Sequence, residues 1–227
     1  MIRILKESKY KDIMEVKAPI HLDTLRQFWA NVEIHTTKKV VYAITSKVGE
    51  TILQISPTTI CAIFGLNDLD YPATFPIKYV QDEFIERSYE GQLTGKTIFK
   101  PNFPADMKFF FHTLLLCLSA KTTAFNEIPL SIRYLGYAIL TKSDFKFSQV
   151  LFNDLVSNFN NMKKGKCFLM HPRLLSIYIQ SQVSKKDATQ GVICQIGSLT
   201  HETFTRITNQ SKILKTQVDG AEQTLNE

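Results

Sequence analysis

Histidine and cysteine are the first residues to test for chemistry, because they supply most zinc ligands and many catalytic bases and nucleophiles. The chain has five histidines and four cysteines among its 227 residues. Cys167 and His171 form a C-x3-H pair, but no second pair at ligand spacing completes a zinc site. His112 lies among phenylalanines and leucines, which is typical of a core imidazole bonded to a carbonyl. We therefore predict no metal site and no cofactor.

Catalytic signatures built on serine, glycine and carboxylates are also missing from the sequence. It contains no G-x-S-x-G motif, and no glycine-rich phosphate-binding motif follows a predicted strand. Asp82, Glu83 and Glu86 share a predicted helix with Lys78 and Arg87, a pattern that favours a solvated polar face over a metal site. We predict no catalytic residue and a protein that is not an enzyme. The alternative is an active site whose residues meet only in the folded chain.

Lysines in the second half of the chain are the remaining candidates for a binding site. Five of them would form a phosphate-binding patch if they met on one face: Lys142, Lys146, Lys163, Lys164 and Lys166. The formal net charge of +6 is compatible with nucleic acid, with acidic partners or with solubility alone. We favour a solvated polar rim around an apolar core. Weak nucleic-acid binding is the alternative.

The elements that must position these residues centre on the stretch 107–141, the most apolar part of the chain. Residues 109–118 are apolar except for His112 and Thr113, and this run is shorter than the roughly 18 residues of a membrane span. A second apolar helix is predicted to begin after Pro129. We expect the two helices to pack as an antiparallel pair in which each buries the other, with no membrane partner.

On the N-terminal side of the chain the spacing of apolar residues changes from a helix-like to a strand-like pattern. Two segments rich in β-branched or alternating apolar residues, KKVVYAIT and ETILQI, are typical of strands. The residues between them, 46–50, contain Gly49, which favours the turn of a β-hairpin.

Further helices are predicted from apolar spacing and from capping signals. Ser56 is a helix cap, Pro57 stands in the first turn, and Gly65 marks the end of that helix. The residues that follow, 67–76, are interpreted as a loop. The remaining predicted helices cover 22–30, about 79–89, a stripe from 147 to 159 capped by Ser143 or Asp144, and a segment that starts at His171-Pro172.

Together these elements predict a mainly α fold with a minor β part: a multi-helix globular domain with one β-hairpin near the N-terminal side. The predicted organisation is an N-terminal extension at 1–20, a helical globular domain at 21–185 and a polar tail at 186–227, partly disordered or weakly helical. The four cysteines are expected as free thiols, with two disulfides as the alternative. The charged N-terminus lacks the apolar core of a secretion signal, so we expect an intracellular location, nuclear or cytoplasmic.

Five segments, in a fixed order and spacing, carry a resemblance to a known family: LRQFWANVEI, VVYAITSKVGETILQISPTTICAIFGL, MKFFFHTLLLCLSAKTTAFNEIP, FKFSQVLFNDLVSN and KCFLMHPRLLSIYI. The most specific pieces lie at 110–127 and 168–175. Over residues 22–183 the chain resembles a plant retrotransposon-associated domain, found in or beside plant retroelement polyproteins.

That resemblance implies a helical, non-catalytic module of mobile-element origin, with no catalytic residues to carry over. The function predicted on this basis is a retroelement-derived structural or protein-interaction module. Its protein partner is not indicated by the residues, and self-association is one form that the interaction could take. The alternative function is a non-specific nucleic-acid-binding accessory protein that uses the lysine patch.

Overall fold

Ten α-helices, a three-stranded antiparallel sheet and two short strand pairs make up the described part of the chain. The computed structural model describes residues 2–15, 18–93, 97–119, 125–162, 171–191 and 193–194. The predicted helix-rich character is confirmed, and the fold is a helix-rich α+β fold.

The N-terminal residues pack into the core of the protein. Helices α1 (Ile2–Glu7) and α2 (Lys11–Glu15) contribute three buried side chains, Leu5, Ile13 and Met14, and Tyr10 in the turn between them is buried as well. A two-residue strand, β1 (Ile20–His21), leads directly into α3 (Leu22–Ala30), whose bounds are those that the apolar spacing predicts.

The sheet contains one strand more than the sequence predicts. Its strands are β2 (Glu33–Thr37), β3 (Val40–Val48) and β4 (Thr51–Ile55), hydrogen-bonded in the order β2-β3-β4. The predicted hairpin is β3–β4, with Gly49 in its turn at a φ of 57°. The prediction of a single hairpin is wrong. The segment EIHTT has no buried residue, so it lacks the alternation that marks a strand, yet it pairs with β3.

Capping signals place α4 (Pro57–Phe64) where the sequence predicts it. The Ser56 hydroxyl accepts a hydrogen bond from the Thr59 N–H at 3.2 Å, and the Ser56 N–H donates to the Thr59 hydroxyl at 2.8 Å. Gly65 ends the helix with a φ of 63°, a conformation that glycine adopts without steric cost. Helix α5 (Ile77–Glu86) begins two residues before the predicted start and ends three before the predicted end.

Two buried helices form the centre of the protein, as the sequence predicts. They are α6 (Ala105–Leu118) and α7 (Leu130–Thr141), and they are preceded by β5 (Ile98–Phe99) and β6 (Glu127–Ile128), which pair antiparallel. Gly136 of α7 lies directly against the rings of Phe110 and Phe111 of α6. The two helices therefore bury each other.

The last described elements return to the N-terminal part of the chain. They are α8 (Phe147–Met162), α9 (Pro172–Gln182), α10 (Lys185–Ala188) and β7 (Ile193–Cys194). Strand β7 pairs antiparallel with β1, and the Thr24 hydroxyl of α3 donates a hydrogen bond to the Asp187 carbonyl at 3.1 Å. Contacts of the fold thus continue past residue 185, into the segment that the sequence assigns to the tail. Residues 195–227 lie outside the described part.

Candidate interaction surface

Two of the five candidate lysines lie in the connection between α7 and α8. Lys142 is exposed and ends α7, whereas Lys146 is half-buried and donates its backbone N–H to the Pro72 carbonyl at 2.9 Å. Asp144 stands between them and pairs with Lys9 at 3.3 Å. The connection therefore places a negative charge, Asp144, between two positive ones, Lys142 and Lys146. The other three candidates, Lys163, Lys164 and Lys166, lie outside the described residues, so the patch as a whole stays a prediction.

A buried carboxylate joins α4 to the start of α8. The side chain of Asp68 accepts hydrogen bonds from the Ser148 N–H at 2.9 Å, the Ser148 hydroxyl at 2.6 Å and the Cys61 thiol at 2.9 Å. The Ser148 N–H belongs to the first turn of α8, where a helix has unpaired donors and favours negative charge. Asp68, rather than the predicted Ser143 or Asp144, therefore caps the start of α8. That capping prediction is wrong, because α8 begins only at Phe147.

The two cysteines whose side chains the structure describes are unsuited to nucleophilic chemistry. Cys61 and Cys117 are buried free thiols, as predicted. Burial raises the pKa of both thiols, and in Cys61 the hydrogen bond to Asp68 raises it further. A raised pKa disfavours the thiolate, which is the reactive form.

His171 and Asp154 form the described pair that most resembles part of a catalytic site. The imidazole Nε2 lies 2.8 Å from the Asp154 carboxylate, and the imidazole is buried at the start of α9. It lines a cavity of about 20 Å³, which holds about one water molecule. Among the other residues that line the cavity only Tyr178 carries a polar side-chain atom, and its hydroxyl donates to the Gln54 carbonyl at 2.6 Å. The rest of the described lining is apolar.

His112 is half-buried and has an amine neighbour. Its Nδ1 lies 3.0 Å from the Lys100 ammonium nitrogen, and desolvation by burial lowers the pKa of Lys100. Within the described residues no group of three or more histidine, cysteine, aspartate or glutamate side chains converges as a metal site. The described helices also include none with the length and apolar character needed to cross a bilayer.

Three exposed apolar side chains lie on the sheet β2–β3–β4: two on β3 near its turn from β2, and one on β4 near its turn from β3. Val40, Tyr42 and Ile52 are 67%, 52% and 74% exposed, respectively. Tyr42 is the extra residue of a bulge, because His35 pairs with Ala43 whereas Thr36 pairs with Val41. A bulge twists a strand and redirects its side chains. Single exposed apolar side chains are common on protein surfaces, whereas a contiguous group marks a candidate interaction site.

The two edges of this sheet differ. Along β4, the Gln54 carbonyl accepts hydrogen bonds from the Tyr178 hydroxyl of α9 and from the Thr59 hydroxyl of α4 at 3.2 Å, so two helices contact the backbone of that edge strand. Strand β2 pairs with β3 and with no other described strand. Among the described residues the sheet therefore has one open edge, and it is β2.

Opposite charges stand at the two ends of β2. Glu33 begins the strand, and Lys38 and Lys39 follow its last residue in the turn to β3. None of these three side chains forms an ion pair within the described residues. The sequence analysis did not identify this arrangement, although two lysines before a strand-like segment were a visible signal.

Comparisons of the chain with models of protein families, with curated proteins and with solved structures found no match. The resemblance to a plant retrotransposon-associated domain stays a prediction.

Proposed function

We propose that this chain is a non-catalytic protein-interaction module, of the retroelement origin that the resemblance implies, and that it binds its partner through the sheet β2–β3–β4. The observation that carries this proposal is the open edge at β2 combined with exposed apolar side chains on the same sheet: Val40 and Tyr42 on the neighbouring strand β3, and Ile52 on β4. Sheets with an open edge bind other chains by adding a strand, and apolar side chains beside the edge add affinity.

The polar clusters of the described core support the non-catalytic part of the proposal. The Asp68 cluster is buried, and its carboxylate is occupied by three hydrogen bonds. The His171–Asp154 pair adjoins a cavity of one-water size. Both arrangements join helices to each other, which is a structural role.

The experiment that tests the proposal is site-specific photocrosslinking in an extract of the source cells after nuclease treatment. A photoreactive residue at Tyr42 or Ile52 is expected to give discrete crosslinked proteins. The same residue at Tyr79 on α5, which at 57% is about as exposed as Tyr42, is the control and should give none. Equal crosslinking from all three positions would contradict the proposal, as would crosslinks that form only in a parallel extract that keeps its nucleic acid.

Non-specific nucleic-acid binding is the second candidate, favoured by the formal charge of +6 and by exposed Lys142. Replacing the five patch lysines (Lys142, Lys146, Lys163, Lys164 and Lys166) by glutamate should then abolish binding to random DNA or RNA. The wild-type affinity should fall steeply with salt, because phosphate contacts release counterions. The matched comparison changes two lysines in each variant: Lys163 and Lys164 in the patch, and the exposed Lys185 and Lys186 on α10 as the control. Affinity that is the same in both variants would exclude this candidate.

A further inference from the structure

We infer that the partner of this sheet is a second copy of the chain, paired antiparallel through β2 of each copy. This inference rests on the proposed function of the sheet as an interaction surface, and it names the partner. The product would be a continuous six-stranded sheet with a two-fold axis through the centre of the two β2 strands.

The open edge supplies the attraction. The backbone N–H and C=O groups that point away from β3 along β2 have no strand to bond within the described residues. A second β2 strand can satisfy them, and backbone hydrogen bonds of this kind need no particular side chains. At the opposite edge, by contrast, α4 and α9 already donate to the Gln54 carbonyl of β4.

The charges select the direction of pairing. In an antiparallel pair the start of each strand lies against the end of the other. Pairing centred on His35, the middle residue of β2, places Glu33 opposite Thr37 of the second copy and beside its Lys38 and Lys39. Parallel pairing would bring like charges together at both ends, which is destabilising. Two identical strands are therefore complementary only when antiparallel, which is the symmetry of an isologous dimer.

The conformation of the turn between β2 and β3 is a second argument that Lys38 and Lys39 contribute to binding. Lys38 and Lys39 both adopt the left-handed conformation, with φ values of 49° and 66°. Glycine and asparagine are the usual residues in such turns, and other residues adopt this conformation at a cost. Lysine at both positions sacrifices some local stability and places two cations at the end of an open edge.

Five-residue strands bury little surface, so the dimer is expected to be weak. Interfaces below about 1,200 Å² belong to the weak class, and we expect a dissociation constant above about 1 µM. Val40 and Tyr42, which lie close to the edge, add apolar contact area. The assembly therefore has to be measured over a range of concentrations that reaches well above this value.

Sedimentation equilibrium of the full chain tests the inference through charge reversal. Two variants are tested separately: Glu33→Lys, and the double variant Lys38→Glu with Lys39→Glu. Each should remain monomeric, because each would place like charges against each other in the homodimer. An equimolar mixture of the two should form a heterodimer, since each reversed strand complements the other. Two charge reversals at exposed sites elsewhere are the controls and should dimerise like the wild type: Glu86→Lys on α5, and Lys185→Glu with Lys186→Glu on α10. Circular dichroism checks that all variants are folded.

Three outcomes would overturn the inference: a wild type that is monomeric at all concentrations, reversed variants that dimerise as well as the wild type, or a mixture that fails to assemble. If the wild type is monomeric but residue 42 crosslinks to another protein, the inference fails and the proposed function stands. If the wild type is monomeric and residue 42 crosslinks to nothing, both fail.

Discussion

Asp68 shows how a single residue can join two helices that are far apart in the sequence. It is 2% exposed and accepts its hydrogen bonds from Cys61 and from Ser148, which is 80 residues away. A buried carboxylate is costly unless hydrogen bonds compensate for lost hydration. The local sequence places Asp68 in a loop among prolines and aspartates, and no local pattern distinguishes it from Asp70. Its role depends on a long-range contact, which is why the sequence could not predict it.

Replacing Asp68 by alanine should lower the free energy of unfolding by about 2–4 kcal/mol, because it leaves the Ser148 N–H and the Cys61 thiol without their acceptor. Asp70→Ala removes the same charge from an exposed neighbour and should change the free energy of unfolding by less than about 0.5 kcal/mol. Urea denaturation followed by circular dichroism measures both. Equal effects of the two substitutions would show that the hydrogen bonds of Asp68 contribute nothing beyond its charge.

Among the elements, those with local signals were predicted, including the hairpin β3–β4, whereas β2 and the two-residue strand pairs were not. Helices α3 and α4 have the expected bounds, because apolar spacing and the Ser56, Pro57 and Gly65 caps act within a few residues. Strand β2 was missed, since neither of its faces is buried. The two-residue pairs β5–β6 and β1–β7 are too short to carry any pattern and exist only because distant segments meet. The same limit applies to the candidate site, whose open edge is a property of the assembled sheet.

The contact between α6 and α7 leads to a prediction about how these two helices pack. Gly136 lies in the middle of α7, where alanine would favour the helix by roughly 1 kcal/mol. A Cβ atom at this position would lie only 2.6 Å from Cε1 of the Phe111 ring. We therefore expect Gly136→Ala to destabilise the protein by about 1–3 kcal/mol, because overpacking outweighs propensity. Thermal unfolding measures the change.

A compensating substitution makes that prediction specific. Phe111→Leu removes the ring that the new methyl group would meet, so adding it to Gly136→Ala should cost less than the sum of the two single substitutions. Additive effects in this double-mutant cycle would contradict the proposed contact.

At the scale of the whole molecule, segments from both ends of the described chain contribute to the fold. Tyr10 is 1% exposed, its hydroxyl donates to the Phe145 carbonyl at 3.1 Å, and its ring packs edge-on against Phe147. The sequence assigned residues 1–20 to an extension because they lack clear periodicity. Two helices of six and five residues are too short to show one, and they are held by contacts with residues some 135 positions away.

Burial of tyrosines predicts how stability depends on alkaline pH. Desolvation raises the pKa of Tyr10 and of Tyr178 above the ordinary value. The folded protein therefore keeps protons that the unfolded chain loses. The stabilisation is fully present below about pH 10, the approximate pKa of tyrosine in an unfolded chain. Above that pH, the free energy of unfolding falls by about 1.4 kcal/mol per pH unit for each buried phenol that stays protonated.

Urea denaturation at pH 8 and at pH 11 measures that loss. Tyr10→Phe should be less stable than the wild type at pH 8, because a buried hydrogen bond is removed, and should lose less stability on going to pH 11. Tyr79→Phe, at an exposed position, should behave like the wild type at both values. An identical loss in the wild type and in Tyr10→Phe would show that the Tyr10 phenol is not protected by the fold.

The pairing of β1 with β7 has a mechanical consequence. Ile20 lies opposite Cys194 and His21 opposite Ile193, so the chain enters and leaves this two-residue ladder at the same end. Pulling on positions 20 and 194 would load the hydrogen bonds one after another, as in unzipping, rather than all at once. A force applied between positions 20 and 194 would therefore separate β1 from β7 before it unfolded the helices that lie between them in the chain.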